Sequence, residues 1–368
     1  MINVLVVEDS RVIRDYLVYV LTTDPDIRVI GTADSGEAAL KFLAKLLPDV
    51  ILMDIHLPGI DGFETTRRIM SSTPVPIVVC TASTHYSEMH TVMRALEAGA
   101  LAAVKKPRGL SDPGADAEAA AIINTLKLMS EVKVVRRWNR TPVRGSAVAS
   151  AVASAVASPV AASTPSAAAG HDAAIVAIGA STGGPPVVLQ ILSCLSTHFP
   201  APILVVQHIA AGFTAGFAEW LAAASGLPVH VAHGGETPLP GHVYVAADDH
   251  HLRVGLRGEL ETIQDAPLNG LRPSVGVLFR SVAERFGARA IGVLLTGMGR
   301  DGAEELKLIR DRGGVTIAQD QASSVVHGMP GEAIRLGAAM YVLTPESIGA
   351  WLCSLTGKQG TQPCRPTY

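Results

Sequence analysis

Several kinds of residue and segment are scarce in this chain, and each scarcity excludes a class of protein. Four cysteines occur among the 368 residues, with no C-x-x-C spacing: Cys80, Cys194, Cys353 and Cys364. This scatter argues against a zinc module, a redox motif and a disulfide framework. No apolar run reaches the roughly 20 residues that span a bilayer, and the N-terminus lacks a signal-type pattern. We therefore expect a soluble, cytoplasmic protein without direct membrane insertion.

A surplus of positive charge is also missing. The 30 Lys and Arg residues are outnumbered by 33 Asp and Glu residues, which gives a formal net charge of −3. Proteins that bind nucleic acid usually carry a basic face, so we expect no nucleic-acid partner. The length corresponds to about two domains of roughly 150 residues each.

The first third of the chain alternates between short apolar runs and segments with apolar residues at helical spacing. This alternation predicts five strand-helix units, and hence a doubly wound parallel sheet with helices on both faces. In such sheets the ligand site lies at the carboxyl ends of the strands. The predicted strands are 3–7, 28–33, 50–53, 77–80 and 102–104.

Side chains suited to phosphoryl chemistry stand at these strand ends. Glu8, Asp9 and Asp54 would form a cluster of hard oxygen ligands of the kind that Mg²⁺ prefers. The hydroxyl of Thr81 and the ammonium of Lys106 are suited to phosphoryl oxygens. Acids and lysines are common in loops, but five such groups at consistent places favour a functional site.

Residues 1–133 resemble the response-regulator receiver domain. The resemblance implies that Asp54 accepts a phosphoryl group from a histidine kinase. It also implies that Glu8 and Asp9 help to hold Mg²⁺, and that Thr81 and Lys106 contact the phosphoryl group. The matching motifs are Val-Glu-Asp at 7–9, Met-Asp-Ile-His-Leu-Pro-Gly-Ile-Asp-Gly at 53–62, Thr-Ala at 81–82 and Lys-Pro at 106–107.

Ala103 departs from the receiver pattern, because many single-domain receivers carry an aromatic switch residue at this place. We therefore expect no aromatic relay. The signal is predicted to pass through a domain interface instead.

The segment 134–172 differs in composition from both of its flanks. It is rich in Ala, Ser, Val and Pro, and Ala-Val-Ala-Ser occurs three times between 147 and 158. So short a period cannot bury a core, which predicts a flexible or partly extended linker. The predicted organisation is a receiver at 1–133, this linker at 134–172, a second domain at 173–356 and a tail at 357–368.

A glycine-rich turn opens the second domain. The sequence Gly-Ala-Ser-Thr-Gly-Gly at 179–184 follows an apolar run and precedes two prolines, which predicts a strand-to-helix turn. Such a turn would lift Ser181 off the sheet edge beside a helix N-terminus, whose N–H groups favour a developing oxyanion. The Gly-x-Ser-x-Gly pattern matches the nucleophile-elbow form, although a turn rich in Gly and Ser is more often only a turn.

Strand-helix alternation continues beyond this turn and predicts a second doubly wound domain, interrupted by an irregular excursion with strands at 241–246 and 252–256. His208 and Asp301 stand just past strand ends, as Ser181 does, so one crevice could gather all three. A histidine can take the proton of a serine, and a buried carboxylate can orient that histidine. Alone, His208 could be structural and Asp301 a helix N-cap; together with Ser181 they favour a hydrolase.

Two other ligand types fit the sequence poorly. A dinucleotide site needs G-x-G-x-x-G, whereas Ser181 occupies the second glycine position of this turn. The cluster Asp-Asp-His-His at 248–251 could suggest a metal, but adjacent residues on a strand point to opposite faces. We interpret this cluster as a polar turn.

Residues 173–352 resemble the catalytic domain of the chemotaxis protein-glutamate methylesterase family, CheB. The resemblance implies that Ser181 is the nucleophile, His208 the general base and Asp301 its orienting acid, with no cofactor in this domain. The chain departs from the family at Ala210 and Ala211, where proline is usual. The matching stretches include Ile-Gly-Ala-Ser-Thr-Gly-Gly-Pro at 178–185, Val-Gln-His at 206–208, Arg-Pro-Ser-Val at 272–275 and Leu-Leu-Thr-Gly-Met-Gly-Arg-Asp-Gly-Ala at 294–303.

The two resemblances together imply a phosphorylation-activated hydrolase of γ-glutamyl methyl esters on the cytoplasmic helices of chemoreceptors. Deamidation of glutamine would be a second activity, and the receiver would cover the crevice until phosphorylation. Two alternatives differ in class. A receiver-controlled DNA-binding regulator would need a basic recognition helix, which is missing. A catalytically idle scaffold would compete for phosphoryl groups or receptor sites, and an ester-hydrolysis assay with Ser181→Ala as control separates it from the enzyme.

Overall fold

The computed structural model describes residues 1–81, 86–107, 115–132, 134 and 172–356, with no account of the side chains at 86–90 and 356. The predicted tail and nearly all of the predicted linker lie outside these residues. Within the described residues, no helix combines the length and the hydropathy that a bilayer crossing requires.

The first unit is a five-stranded parallel sheet with strand order β2-β1-β3-β4-β5, which confirms the predicted fold class. The strands β3 and β4 are buried along their whole length because helices cover both faces of the sheet. The elements are β1 (Ile2–Val7), α1 (Arg11–Thr22), β2 (Ile27–Ala33), α2 (Gly36–Leu43), β3 (Val50–Asp54), α3 (Gly62–Ser72), β4 (Ile77–Thr81), α4 (Tyr86–Ala98), β5 (Ala102–Lys105) and α5 (Ala115–Ser130).

The second unit is a seven-stranded parallel sheet with strand order β14-β13-β12-β6-β7-β9-β8, beside a two-stranded antiparallel sheet of β10 and β11. Its strands are β6 (Ile175–Ala180), β7 (Ile203–Gln207), β8 (Val229–Val231), β9 (Val243–Val245), β10 (His251–Val254), β11 (Leu260–Ile263), β12 (Ala290–Leu294), β13 (Val315–Gln319) and β14 (Tyr341–Leu343). Its helices are α6 (Gly184–Leu192), α7 (Thr214–Ser225), α8 (Val275–Phe286), α9 (Ala303–Asp311), α10 (Met329–Arg335) and α11 (Pro345–Cys353).

The prediction that segment 241–246 belongs to an irregular excursion is wrong, because this segment contains β9 of the main sheet. This three-residue strand pairs in parallel with both β7 and β8, and all three of its side chains are buried. Of the two strands predicted for the excursion, only β10 lies outside the main sheet. It pairs with β11, which lacks an apolar run and was not predicted. The helix α11 was also not predicted.

The three strands that carry the proposed triad are adjacent, in the order β12-β6-β7. Leu294 of β12 pairs with Gly179 of β6, and Ala180 of β6 pairs with Gln207 of β7. The loops that follow these strands therefore leave the sheet at the same carboxyl edge.

The two units share a buried apolar interface. Helix α4 of the first unit packs against α6 and α7 of the second. Its residues Val92, Met93, Ala95 and Leu96 are all buried. Successive residues of a helix point about 100° apart, so burial of these four means that both the core of the first unit and the second unit cover α4.

Candidate active site

Ser181 lies in the turn between β6 and α6, where the sequence predicts it. Its N–H donates to the carbonyl oxygen of Thr296 at 3.0 Å, and its own carbonyl oxygen accepts from the N–H of Gly184 at 2.8 Å. Gly183, two residues after Ser181, has a φ of 75° and is the N-cap of α6. A Cβ at this position would lie 2.5 Å from the Cβ of Val325, so glycine is required here for both conformation and space.

The start of α6 offers fewer anion-binding groups than the sequence suggested. Pro185 and Pro186 occupy the first helical turn and carry no N–H. The N–H of Gly184 is used by the carbonyl oxygen of Ser181. The free backbone donors beside the serine are therefore those of Thr182 and Gly183, which have no acceptor among the described residues.

His208 is joined to Asp301 at the carboxyl edge of the sheet. His208 Nε2 lies 3.0 Å from Asp301 Oδ2, and only 13% of the histidine side chain and 3% of the aspartate side chain are exposed. The backbone N–H of His208 donates to the carbonyl oxygen of Ala180, the residue before the serine. Because Nε2 faces the carboxylate, Nδ1 is the ring nitrogen that remains to accept a proton.

The carboxylate of Asp301 is held charged. Burial opposes its ionisation, but the hydrogen bonds from His208, Ser274 and the N–H of Val275 outweigh burial and lower the pKa of Asp301 below its usual value. These contacts also decide against the alternative that Asp301 is a helix N-cap. The N-cap of α9 is Gly302, whereas Asp301 receives N–H groups from the first turn of α8.

Ser274 and His251 are site residues that sequence reasoning missed. Ser274 Oγ donates to Asp301 Oδ1 at 2.8 Å, and the N–H of Ser274 donates to His251 Nδ1 at 3.2 Å. The interpretation of 248–251 as a polar turn holds for Asp249, which pairs with Arg272, but not for His251, which begins β10 and is buried. The local signal for Ser274 was its position as N-cap of α8.

Gln207 connects the loops of the proposed nucleophile and base. Its Nε2 donates to the carbonyl oxygens of Ser181 at 2.8 Å and His208 at 2.9 Å. Its side chain is buried, so neither contact is exchanged with solvent.

The third contact of a Ser-His-Asp triad is open. Within the described residues, no hydrogen bond joins the hydroxyl of Ser181 to His208. Catalytic hydrogen bonds are often long in unliganded sites and tighten in the substrate complex. The structure thus brings His208 and Asp301 into contact and places Ser181 on the neighbouring strand end.

A second cluster lies at the carboxyl ends of the strands in the first unit. Glu8, Asp9 and Asp54 each offer an oxygen, and these atoms lie within 4.8 Å of one another. Lys106 Nζ lies 2.7 Å from Glu8 Oε2 and 2.9 Å from Asp54 Oδ2. Thr81 is buried at the end of β4. The predicted phosphoryl-site residues are therefore on the predicted edge of the sheet.

This acidic cluster fits a divalent cation. Asp54 Oδ1 is buried and has no hydrogen-bond partner in the described part of the chain, so a lone pair is available for a metal ion. Burial raises the pKa of Glu8 even though Lys106 is beside it. Burial also opposes the charge of Lys106, but its hydrogen bonds with the two carboxylates outweigh burial and raise its pKa. Three carboxylates form the oxygen set that Mg²⁺ accepts.

A cavity of about 210 Å³ lies between the two units close to the serine turn. Leu96 and Ala100 line it from the first unit, and Gly183, Pro186 and Val325 line it from the second. Side chains of the first unit therefore lie across this cavity from Gly183, two positions beyond Ser181.

Comparison with known proteins gives a match for each unit. The family model described as CheB methylesterase matches residues 176–352, and the one described as response regulator receiver domain matches residues 4–112.

Relatives match over nearly the whole chain. A protein-glutamate methylesterase/protein-glutamine glutaminase of Nitrosospira multiformis is 52% identical over 98% of both chains. A protein of the same description from Syntrophus aciditrophicus is 49% identical over 97% of this chain and 99% of its own. The crystal structure of the Thermotoga maritima CheB methylesterase catalytic domain is 40% identical, with a TM-score of 0.48, and covers 50% of this chain and 98% of its own.

Proposed function

Because the chain belongs to the protein-glutamate methylesterase/protein-glutamine glutaminase family, we propose that its second unit hydrolyses γ-glutamyl methyl esters through Ser181, His208 and Asp301. Membership of this family means that the chain is a hydrolase with a response-regulator receiver domain. The observation that supports the triad is the 3.0 Å contact between His208 and the buried Asp301 on the strand ends that flank Ser181.

The proposed reaction has two halves. The hydroxyl of Ser181 attacks the ester carbonyl while His208 Nδ1 takes its proton, and the same histidine then protonates the departing methoxide, which leaves as methanol. The N–H groups of Thr182 and Gly183 are the donors that we assign to the oxyanion. Water then attacks the carbonyl of the acyl-enzyme while His208 takes its proton. The same histidine returns this proton to Ser181 Oγ as the acyl–serine bond breaks and glutamate is released. Asp301 stabilises the charge that the imidazole carries in both halves.

The substrate that we propose is the methylated cytoplasmic region of chemoreceptors, with adaptation of a chemosensory pathway as the outcome. The names of the relatives also support deamidation of glutamine, in which ammonia replaces methanol as the leaving group.

We propose that the receiver domain controls the activity of this site. Asp54 would accept the phosphoryl group from a histidine kinase, Glu8, Asp9 and Asp54 would hold Mg²⁺, and Thr81 and Lys106 would contact the phosphoryl oxygens. A bound Mg²⁺ supplies positive charge that neutralises these oxygens. The interface through α4 and the cavity beside Gly183 support a receiver that obstructs access to Ser181 until phosphorylation shifts the docked population.

The deciding experiment measures methanol release from a receptor cytoplasmic fragment that carries γ-glutamyl methyl esters. The full chain is assayed with and without a small acyl-phosphate donor and Mg²⁺, with Ser181→Ala as the control. We expect release that depends on Ser181 and increases with the phosphodonor. Release that is unchanged in Ser181→Ala contradicts the proposed nucleophile, and no release at all supports the idle scaffold.

A further inference from the structure

A line of hydrogen bonds continues behind the proposed triad and ends at His251. It runs from His208 to Asp301, from Asp301 to Ser274, and from Ser274 to His251. Both Ser274 and His251 are at most 1% exposed, so neither can touch a substrate.

The hydrogen bonds of His251 define its tautomer. Its Nδ1 receives the backbone N–H of Ser274 at 3.2 Å, so Nδ1 acts as an acceptor. Its Nε2 lies 3.2 Å from the carbonyl oxygen of Ala266, which can only accept. The proton of the neutral imidazole therefore sits on Nε2, and the ring bridges the loop before α8 to the segment after β11.

The position of Ser274 determines the direction of its hydroxyl. Its N–H is held by His251, and its Oγ accepts the N–H of Gly276 at 3.1 Å. The single hydroxyl proton then points at Asp301 Oδ1, 2.8 Å away.

Both oxygens of Asp301 are consequently committed. Oδ1 receives Ser274 Oγ and the N–H of Gly276, while Oδ2 receives the N–H of Val275 at 2.7 Å and faces His208 Nε2 at 3.0 Å. Rotation of the carboxylate would break all of these contacts at once. Its orientation towards His208 is thus fixed by groups that lie outside the triad.

We propose that Ser274 and His251 are positioning residues of the esterase, which hold the Asp301 carboxylate in the orientation that His208 requires. This inference rests on the proposed function, because it assigns a task to residues behind the proposed triad. The two residues act through Asp301 and never contact the ester.

The first test is Ser274→Ala in the full chain, assayed with the methylated receptor fragment in the presence of phosphodonor and Mg²⁺. Loss of one buried hydrogen bond to a charged group should lower kcat by about 10- to 100-fold. KM should stay unchanged, because a buried positioning residue contributes no substrate binding. Ser274→Thr keeps the hydroxyl and should recover most of the lost kcat.

Thr316→Val is the matched control. Thr316 is fully buried, its Oγ1 donates to the carbonyl oxygen of Ala338 and accepts the N–H of Met340, and it lies in the first half of β13, away from the site. Thr316→Val therefore removes one donated and one accepted hydrogen bond of a buried hydroxyl, as Ser274→Ala does. We expect a similar decrease in thermal stability from both variants but an unchanged kcat in Thr316→Val.

Substitutions of His251 separate its two hydrogen bonds. In His251→Asn the side-chain oxygen can replace Nδ1 as the acceptor for Ser274, and kcat should remain within about threefold of wild type. His251→Gln can replace Nε2 towards Ala266 but not Nδ1, and kcat should fall about 10-fold, as for loss of one buried hydrogen bond. The reverse order of the two variants would contradict the role of His251.

A spectroscopic measurement reports on Asp301 directly. The proton of His208 Nε2, identified by its loss in His208→Ala, should change its NMR shift in Ser274→Ala and stay in place in Thr316→Val. Equal kcat in Ser274→Ala, Thr316→Val and wild type, with an unmoved signal, would overturn the inference. Unchanged turnover in Ser181→Ala would instead overturn the proposed function, so the two failures are distinguishable.

Discussion

Gln207 donates a hydrogen bond of 2.8 Å to the carbonyl oxygen of Ser181, so the strand that ends at the proposed base also holds the turn of the proposed nucleophile. The same amide group reaches the carbonyl oxygen of His208. One buried side chain thus fixes the separation of the two loops that exchange a proton in the proposed mechanism.

This arrangement predicts that Gln207→Glu damages both stability and activity. The new side chain has the same size, but it presents an oxygen to two partly buried carbonyl oxygens, which should cost roughly 2 to 4 kcal/mol of unfolding free energy. Thermal unfolding and methanol release measure the two effects. Gln190→Glu is the control, because Gln190 donates to Glu346 on the surface, where solvent screens the repulsion. Equal turnover in the two variants would contradict the role of Gln207.

Ser181→Ala and His208→Ala should each lower esterase turnover by several orders of magnitude, as loss of a nucleophile or base does in other serine hydrolases. The double variant should be little worse than either single variant, because the two groups act as one unit. Methanol release under single-turnover conditions is the measurement. Multiplicative losses in the double variant would mean that the two residues work independently.

The sequence predicted the placement of the proposed triad at one edge of the sheet better than the contacts behind it. Ser181, His208 and Asp301 follow apolar runs, and the carboxyl ends of parallel strands meet at one edge, so a local pattern was sufficient. Ser274 and His251 could not be assigned in this way, because their contacts join residues 27 and 23 positions apart and depend on how α8 approaches the sheet. The short strand β9 was misjudged because its pairing with β7 and β8 is also a long-range property.

The lowered pKa of Asp301 predicts a pH-dependent stability difference between wild type and Asp301→Asn. The charged carboxylate stabilises the fold at pH values above 3.8, its ordinary value, and this contribution is lost as the pH falls through the lower folded pKa. The unfolding free energy of the wild type should therefore be higher than that of Asp301→Asn. The difference should be largest at neutral pH and should shrink below pH 3.8. Urea titration followed by the buried Trp220 and Trp351 measures it. A difference independent of pH would contradict the assignment.

A fragment of residues 173–356 should hydrolyse ester faster than the unphosphorylated full chain, because the receiver that lines the cavity beside Gly183 is absent. Asp54→Asn should keep the full chain at its low basal rate even with phosphodonor and Mg²⁺. Turnover of the fragment, the full chain and Asp54→Asn at equal concentration decides the matter. A fragment slower than the unphosphorylated chain rules out obstruction by the receiver.

Removal of Mg²⁺ should affect the proposed function of the receiver but not that of the esterase unit. Chelation should abolish the stimulation of the full chain by the phosphodonor, since the oxygen cluster of Glu8, Asp9 and Asp54 is on the receiver. The fragment 173–356 should keep its rate, because its proposed mechanism uses no metal ion. Turnover with chelator, and after addition of excess Mg²⁺, measures both effects. Loss of fragment activity on chelation would place a metal in the esterase step.

While the two units are docked, the apolar side chains Val92, Met93, Ala95 and Leu96 of the described part of helix α4 are all covered. Any protein that binds these apolar side chains must therefore compete with the packing that covers them in the docked chain. By mass action such a competitor would draw the receiver away and expose the crevice, so its binding would be linked to enzyme activity without any contact to Ser181. In the same way, each ester bound in the crevice would weaken receiver docking and make α4 more available.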